Sequence, residues 1–171
     1  SAEQEQGKEP ARPVEYEFSP DPRQLLDELL PATVRARLFQ AFNDASVSEQ
    51  VARMVADTVQ AFGGLDILVA NAGINIRKPP QDYSSDEWRR IVDTNLTSVF
   101  ACCQSVYPEM KRRGGGKIVT IGSMTSIFGF DVGPVYAATK GAVVQLTKSL
   151  GAAWAKDNIQ VNSILPGFID T

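Results

Sequence analysis

Apolar positions along this chain fall into two spacings. Short runs at Leu65–Ala70, Lys117–Ile121 and Gln160–Leu165 have the length and composition of strands buried in a parallel sheet. The stretches between them carry apolar residues at helical spacing. Val51, Val55, Val59 and Phe62 form one inward stripe, opened by the capping box Ser46-Val47-Ser48-Glu49 and ended by Gly63 and Gly64. Ser84-Ser85-Asp86-Glu87 caps a second helical region, which runs through Trp88 and Asn95 toward Met110, with Pro108 as a kink point. A third helix lies before the last strand. Toward the amino end, residues 1–13 read as a polar lead-in, and Val14–Phe18 alternates like an edge strand. Asp21 and Pro22 start a helix striped by Leu25, Leu26, Leu29 and Leu30 and stopped by Pro31, and Thr33–Phe42 is a further strand candidate. Strands and helices alternating at these lengths predict an α/β fold, a parallel sheet with helices on both faces.

Composition narrows the function classes. A chain of 171 residues with 43% hydrophobic content suits one domain, and a net charge of −3 offers nothing to a polyanion, so no nucleic-acid partner is expected. The basic run Lys111-Arg112-Arg113 reads as a solvated helix terminus. Gly114-Gly115-Gly116 follows a helix and precedes a strand, the reverse of the order a phosphate-binding loop needs. Cys102 and Cys103 are adjacent on a helix, which fits neither a structural disulfide nor a C-x-x-C site and suits a reducing cytoplasm. With no histidine in the chain, Ser-His-Asp catalysis and histidine-ligated zinc drop out, and no metal site is expected. No apolar stretch reaches about 18 residues, so no membrane span is expected. The chain begins with Ser, which reads as a processed or engineered soluble protein with cytoplasmic localisation.

The chemistry is concentrated in Ser123, Tyr136 and Lys140, spaced S-x12-Y-x3-K. Tyr136 and Lys140 are four apart and share a helix face, where an ammonium favours phenolate. A tyrosine titrates near pH 10, and bringing one to about 7 takes roughly 4 kcal/mol, which a poorly solvated lysine can largely supply. Such a phenol can act as general acid or base. Ser123 ends a strand, at the carboxyl edge where open α/β sheets bind ligands, and can donate to a substrate oxygen. Alone, Y-x-x-x-K is a common pair on a solvated helix.

Further motifs stand in register with it: Asn71-Ala72-Gly73 after the first strand, Asn95 in T-N-L, I-G-S, Y-A-A-T-K, and Pro166-Gly167 with Thr171 after the last strand. Together these closely resemble the short-chain dehydrogenase/reductase family over roughly residues 46–171. The resemblance implies a three-layer Rossmann-like sheet in one domain, residues 14–171, of which 14–45 are divergent. It implies an NAD- or NADP-dependent oxidoreductase interconverting a secondary alcohol and a ketone. Tyr136 would be the proton donor or acceptor, Lys140 its partner and a ligand of the nicotinamide ribose, and Ser123 the group polarising the carbonyl. Asn95 would hold a water linking the lysine to solvent; as an ordinary helix asparagine it would cap or kink a turn. Asn71, Ala72 and Gly73 would pass close to the cofactor, and Pro166, Gly167 and Thr171 would contact the carboxamide, although both segments also suit plain turns. Asp44 is a candidate adenine contact, and Asp66 reads as structural. Val99, Phe100, Val143, Val144, Leu146 and Leu150 lie on the helices that pair between subunits in the family, implying a homodimer or homotetramer, while core packing explains many of them equally.

Two departures accompany the match. Residues 1–50 hold only Gly7, so the glycine-rich phosphate turn that opens the family fold is missing, and cofactor choice cannot be read. The strand that would flank Leu65–Ala70 goes with it, and Val14–Phe18 or Thr33–Phe42 is the candidate substitute. The chain closes at Thr171, before the family's last strand and substrate-covering helices. I-N-I-R-K-P, I-G-S-M-T-S and W-A-K-D-N-I-Q-V-N look most similar to dehydrogenases of gluconate or ketogluconate, with Arg77 a candidate partner for a substrate carboxylate or else a solvated loop residue. The alternative is a truncated or divergent paralogue that keeps these residues and serves as an oligomerising module.

Overall fold

The computed structural model describes residues 47–168. Ser46, Asp44, Thr171 and the strand and helix candidates before residue 46 therefore lie outside the described residues. Helix α1 (Val47–Phe62) leads into strand β1 (Ile67–Ala70). Helix α2 (Ser85–Val92) passes through a π turn (Asp93–Thr97) into α3 (Ser98–Arg112), followed by β2 (Gly116–Ile121). Helix α4 (Pro134–Trp154) and β3 (Ile159–Ile164) complete the order. The three strands are parallel in the order β1-β2-β3, with Leu68 opposite Ile118 and Ile118 opposite Val161.

Strand periodicity divides the sheet into two faces. Leu68, Ile118 and Val161 join the hydrophobic core with Val51, Val55, Val99, Cys103, Val106, Met110, Val143 and Leu150 from the helices. The opposite face shows Ile67, Val69 and Ile164 at 64%, 57% and 55% exposure. Among the described residues β1 has a strand neighbour on one side only.

Local rules account for most element ends. Ser84 and Glu87 close a reciprocal capping box at the start of α2, and Lys78 holds the Glu87 carboxyl down at about 2 through a 2.7 Å hydrogen bond. Gly63 takes φ 76° and donates to the Val59 carbonyl, ending α1 in the left-handed conformation glycine allows. Two expectations need correction. Phe62 is 62% exposed, because as the last residue of α1 it lies beyond the reach of the core that covers Val51 and Val55. The helix expected from Ser84 to Met110 is divided by the π turn, while Pro108 sits inside α3 without ending it. The basic run is exposed at the end of α3, as expected, and paired as well: Lys111 with Asp157 at 3.2 Å, Arg112 with Glu109 at 2.6 Å, and Arg113 with Asp66 at 2.8 Å. Asp66 thus has the structural task expected of it, tying the end of α3 to the approach to β1.

Candidate active site

Because the strands are parallel, their carboxyl ends share one edge of the sheet, and the three motif segments emerge there side by side. Asn71-Ala72-Gly73 follows β1, Ser123 follows β2 and Pro166 follows β3. The Pro166 carbonyl accepts from the Met124 N–H at 2.9 Å, fastening the third segment to the turn after Ser123. Gly167 and Phe168 extend beyond it into the open, Phe168 at 84% exposure.

Ser123 is buried, and its hydroxyl oxygen accepts from the Thr125 N–H at 3.1 Å. That bond uses a lone pair and leaves the hydroxyl hydrogen to donate. Thr125 Oγ1 beside it is buried with no partner among the described residues.

Tyr136 is half-buried near the start of α4, and its hydroxyl has no hydrogen-bond partner among the described residues. Lys140, one turn later, places Nζ 5.6 Å from the Tyr136 ring centroid and donates to the Ile121 carbonyl at 2.7 Å. The lysine is only 4% exposed, and no acid pairs with it among the described residues. Burial alone pushes its pKa below the ordinary 10.5.

Sign follows from that direction. Between the lowered value and 10.5 the unfolded chain holds more protons on this lysine than the folded one, so Lys140 makes stability rise with pH through that window. Lys140→Met is expected to remove this rise. Urea unfolding of both proteins at several pH values between 7 and about 10.5 checks it; parallel curves for wild type and variant would show that the buried charge is not the cause.

Asn95 is fully buried in the π turn, and its side-chain amide makes three hydrogen bonds. Oδ1 accepts from Ile74 N–H at 2.8 Å, and Nδ2 donates to the Ile74 carbonyl at 2.9 Å and to Thr139 Oγ1 at 3.1 Å. This strand-like pairing pins the segment after Gly73. A Cβ at Gly73 would stand 3.4 Å from Lys140 Nζ and 3.5 Å from Asn95 Oδ1, ordinary van der Waals contact with both. Sequence reasoning missed Thr139 and the Ile121 carbonyl. Val135, Thr139, Lys140, Val143, Thr147 and Leu150 form one buried helical stripe, and its polar members were the available signal.

Arg77 lies on the rim of this edge, its guanidinium 5.8 Å from the Phe130 ring centroid and with no carboxylate partner among the described residues. The neighbouring Lys78 N–H donates to the Val132 carbonyl at 3.1 Å, linking the loop after β1 to the loop before α4. Cys102 and Cys103 are free thiols, and burial pushes Cys103 up to about 12, out of reach of thiolate chemistry at neutral pH.

The sequence model of the family described as short chain dehydrogenase matches residues 7–171. This chain belongs to the short-chain dehydrogenase family. Among its relatives in this family of oxidoreductases are a tropinone reductase homolog of Arabidopsis thaliana, 43% identical over 75% of this chain and 49% of the relative. A 2-dehydro-3-deoxy-D-gluconate 5-dehydrogenase of Bacillus subtilis is 40% identical over 79% of this chain and 53% of its own length. The crystal structure of a gluconate 5-dehydrogenase from Burkholderia cenocepacia J2315 in complex with NADP and tartrate superposes with a TM-score of 0.70. That match is 40% identical and covers 74% of this chain and 51% of the other. The chain spans about half the length of the curated relatives it matches. Among the described residues no helix is long and apolar enough to cross a membrane, and no His, Cys, Asp and Glu side chains group to hold a metal ion.

Proposed function

We propose that this short-chain dehydrogenase interconverts a secondary alcohol and a ketone with a nicotinamide dinucleotide, using Tyr136 as the proton donor or acceptor. The observation that carries this reading is the buried, acid-free ammonium of Lys140 beside a phenol whose hydroxyl is unoccupied. A positive charge in a poorly solvated place stabilises the anionic form of its neighbour more strongly than it would in water. Lys140 spends one N–H on the Ile121 carbonyl, which leaves two donors for a ribose diol.

That donor set fits the nicotinamide-ribose end of the cofactor, with Asn71, Ala72, Gly73, Pro166 and Gly167 around it at the same sheet edge. Thr171 and Asp44 belong to the same proposal on the sequence match alone. When bound, the nicotinamide supplies or takes up the hydride. The chain's own part is to place the carbonyl and move a proton. Ser123 donates its free hydroxyl hydrogen to the substrate oxygen, and Tyr136 passes its proton to that oxygen or takes it back. In the same reading Asn95 holds the water that links Lys140 to solvent, its Oδ1 keeping a second lone pair beyond the bond from the Ile74 N–H.

The substrate class is a sugar acid such as gluconate. Supporting this are the gluconate 5-dehydrogenase among the structural neighbours and Arg77, a guanidinium held against an aromatic face instead of a carboxylate. Subunit pairing through α3 and α4 belongs to the same reading: Val99, Val143 and Leu150 are spent in the core, which leaves Phe100, 44% exposed, as the outward apolar residue of α3.

Calorimetric titration of the chain with NADP+ and with NAD+, followed by gluconate added to the saturated protein, tests both levels. Micromolar binding of one dinucleotide and a further heat with gluconate are expected. No binding by folded protein would leave the oligomerising-module reading in its place; binding of dinucleotide without gluconate would move the substrate to another alcohol.

A further inference from the structure

We infer that Thr139 is a positioning residue, whose hydroxyl registers the loop after β1 on the catalytic helix and so sets Tyr136 and Lys140 against the reacting atoms. Its kinetic consequence rests on the oxidoreductase reading above; its mechanical part does not.

Thr139 lies between Tyr136 and Lys140 on α4 and is 3% exposed. Its hydroxyl donates to the Tyr136 carbonyl at 2.8 Å, a bond that threonines inside helices commonly make to the preceding turn. That habit does not explain the second bond. The same oxygen accepts from Asn95 Nδ2 at 3.1 Å, across 44 positions of sequence, and Asn95 devotes the rest of its amide to both main-chain groups of Ile74. A single path of hydrogen bonds therefore runs from the Ile74 backbone through Asn95 and Thr139 to the Tyr136 backbone. Gly73, next to Ile74, passes so near Lys140 Nζ and Asn95 Oδ1 that a Cβ there would stand at 3.4 and 3.5 Å. The loop thus meets the ammonium at one point and the helix at another, and Thr139 is where the second attachment is made.

Valine has nearly the shape of threonine but neither gives nor takes a hydrogen bond. In Thr139→Val the Asn95 N–H would face an apolar methyl in a fully buried place, and an amide left unpaired there turns toward other acceptors. Turning it strains or breaks its two bonds to Ile74. Thr139→Ser keeps the hydroxyl and both bonds.

The experiment measures, for wild type, Thr139→Val and Thr139→Ser, the hydrogen-exchange rate of the Ile74 amide by NMR, and kcat and KM for reduction of 5-ketogluconate by NADPH. Expected in Thr139→Val are Ile74 exchange at least tenfold faster, kcat at least tenfold lower and KM for NADPH within twofold, with Thr139→Ser within threefold of wild type throughout. An ordinary helix-stabilising threonine would not move the Ile74 amide. Unchanged Ile74 exchange, or an undiminished kcat, in Thr139→Val overturns the inference. Should wild type reduce nothing, the oxidoreductase reading fails and the exchange rates alone decide the positioning claim. Should Thr139→Val not fold, Thr139→Ala is read by the same two measurements.

Discussion

Tyr136→Phe is expected to lower NADPH-linked ketone reduction by about 10²–10⁴-fold while leaving dinucleotide affinity within about twofold of wild type. The substitution removes one oxygen. Because the Tyr136 hydroxyl bonds to nothing among the described residues, its loss leaves no protein group unpaired, and the fold has no reason to respond. The ring stays to pack beside Lys140, whose Nζ keeps its bond to Ile121. What disappears is the proton donor at the substrate oxygen, and the size of the effect is that of one general acid. Steady-state rates with parallel calorimetry check it. A rate close to wild type would remove Tyr136 from the mechanism and the proposed function with it.

Asn95→Leu should lower the unfolding free energy by about 2–4 kcal/mol. Leucine shares the branching of asparagine, though with bulkier methyl ends, and abandons three hydrogen bonds, leaving the Ile74 N–H and carbonyl and the Thr139 hydroxyl short of a partner around a fully buried side chain. Urea unfolding monitored by circular dichroism gives the number, with Asp86→Ala as the comparison. Asp86 meets Arg89 at 2.9 Å on an exposed helix face, where screening makes such a pair weak, and that variant should be nearly silent. Equal effects from the two would mean that the Asn95 amide carries no special burden.

What the sequence made legible was local. The i, i+4 spacing of Tyr136 and Lys140, the Ser84–Glu87 capping box and the three strand runs are set by neighbours within a turn or a few residues, and each stands within two residues of its expected place. Depth was legible only on average: Val51 and Val55 are buried as their stripe implied, whereas Phe62 on the same stripe is not. Long-range partners were not legible at all. Nothing near Lys140 in sequence names the Ile121 carbonyl as its acceptor, and nothing near Asn95 names Ile74 and Thr139, because those pairings depend on how strand, turn and helix meet in space. The acids that pair with the basic end of α3 illustrate the same point: Glu109 is three positions away and predictable, but Asp66 and Asp157 are distant in the chain.

The π turn at Asp93–Thr97 carries one residue more than a straight α-helical path would hold. In an α-helix one residue is a rotation of about 100° and an advance of about 1.5 Å. Were the same residues Asp93–Thr97 to close as regular α-helix, the 15 residues of α3 would therefore turn by about one residue, bringing Ser98 to the place of Val99, Cys102 to that of Cys103, Ser105 to that of Val106 and Glu109 to that of Met110. Four buried positions would then receive two hydroxyls, a neighbouring thiol and a carboxylate. The π turn is thus what keeps the apolar stripe of α3 on the core, and the one change of count this stretch can absorb is loss of a residue within the turn itself, with the turn closing as α-helix.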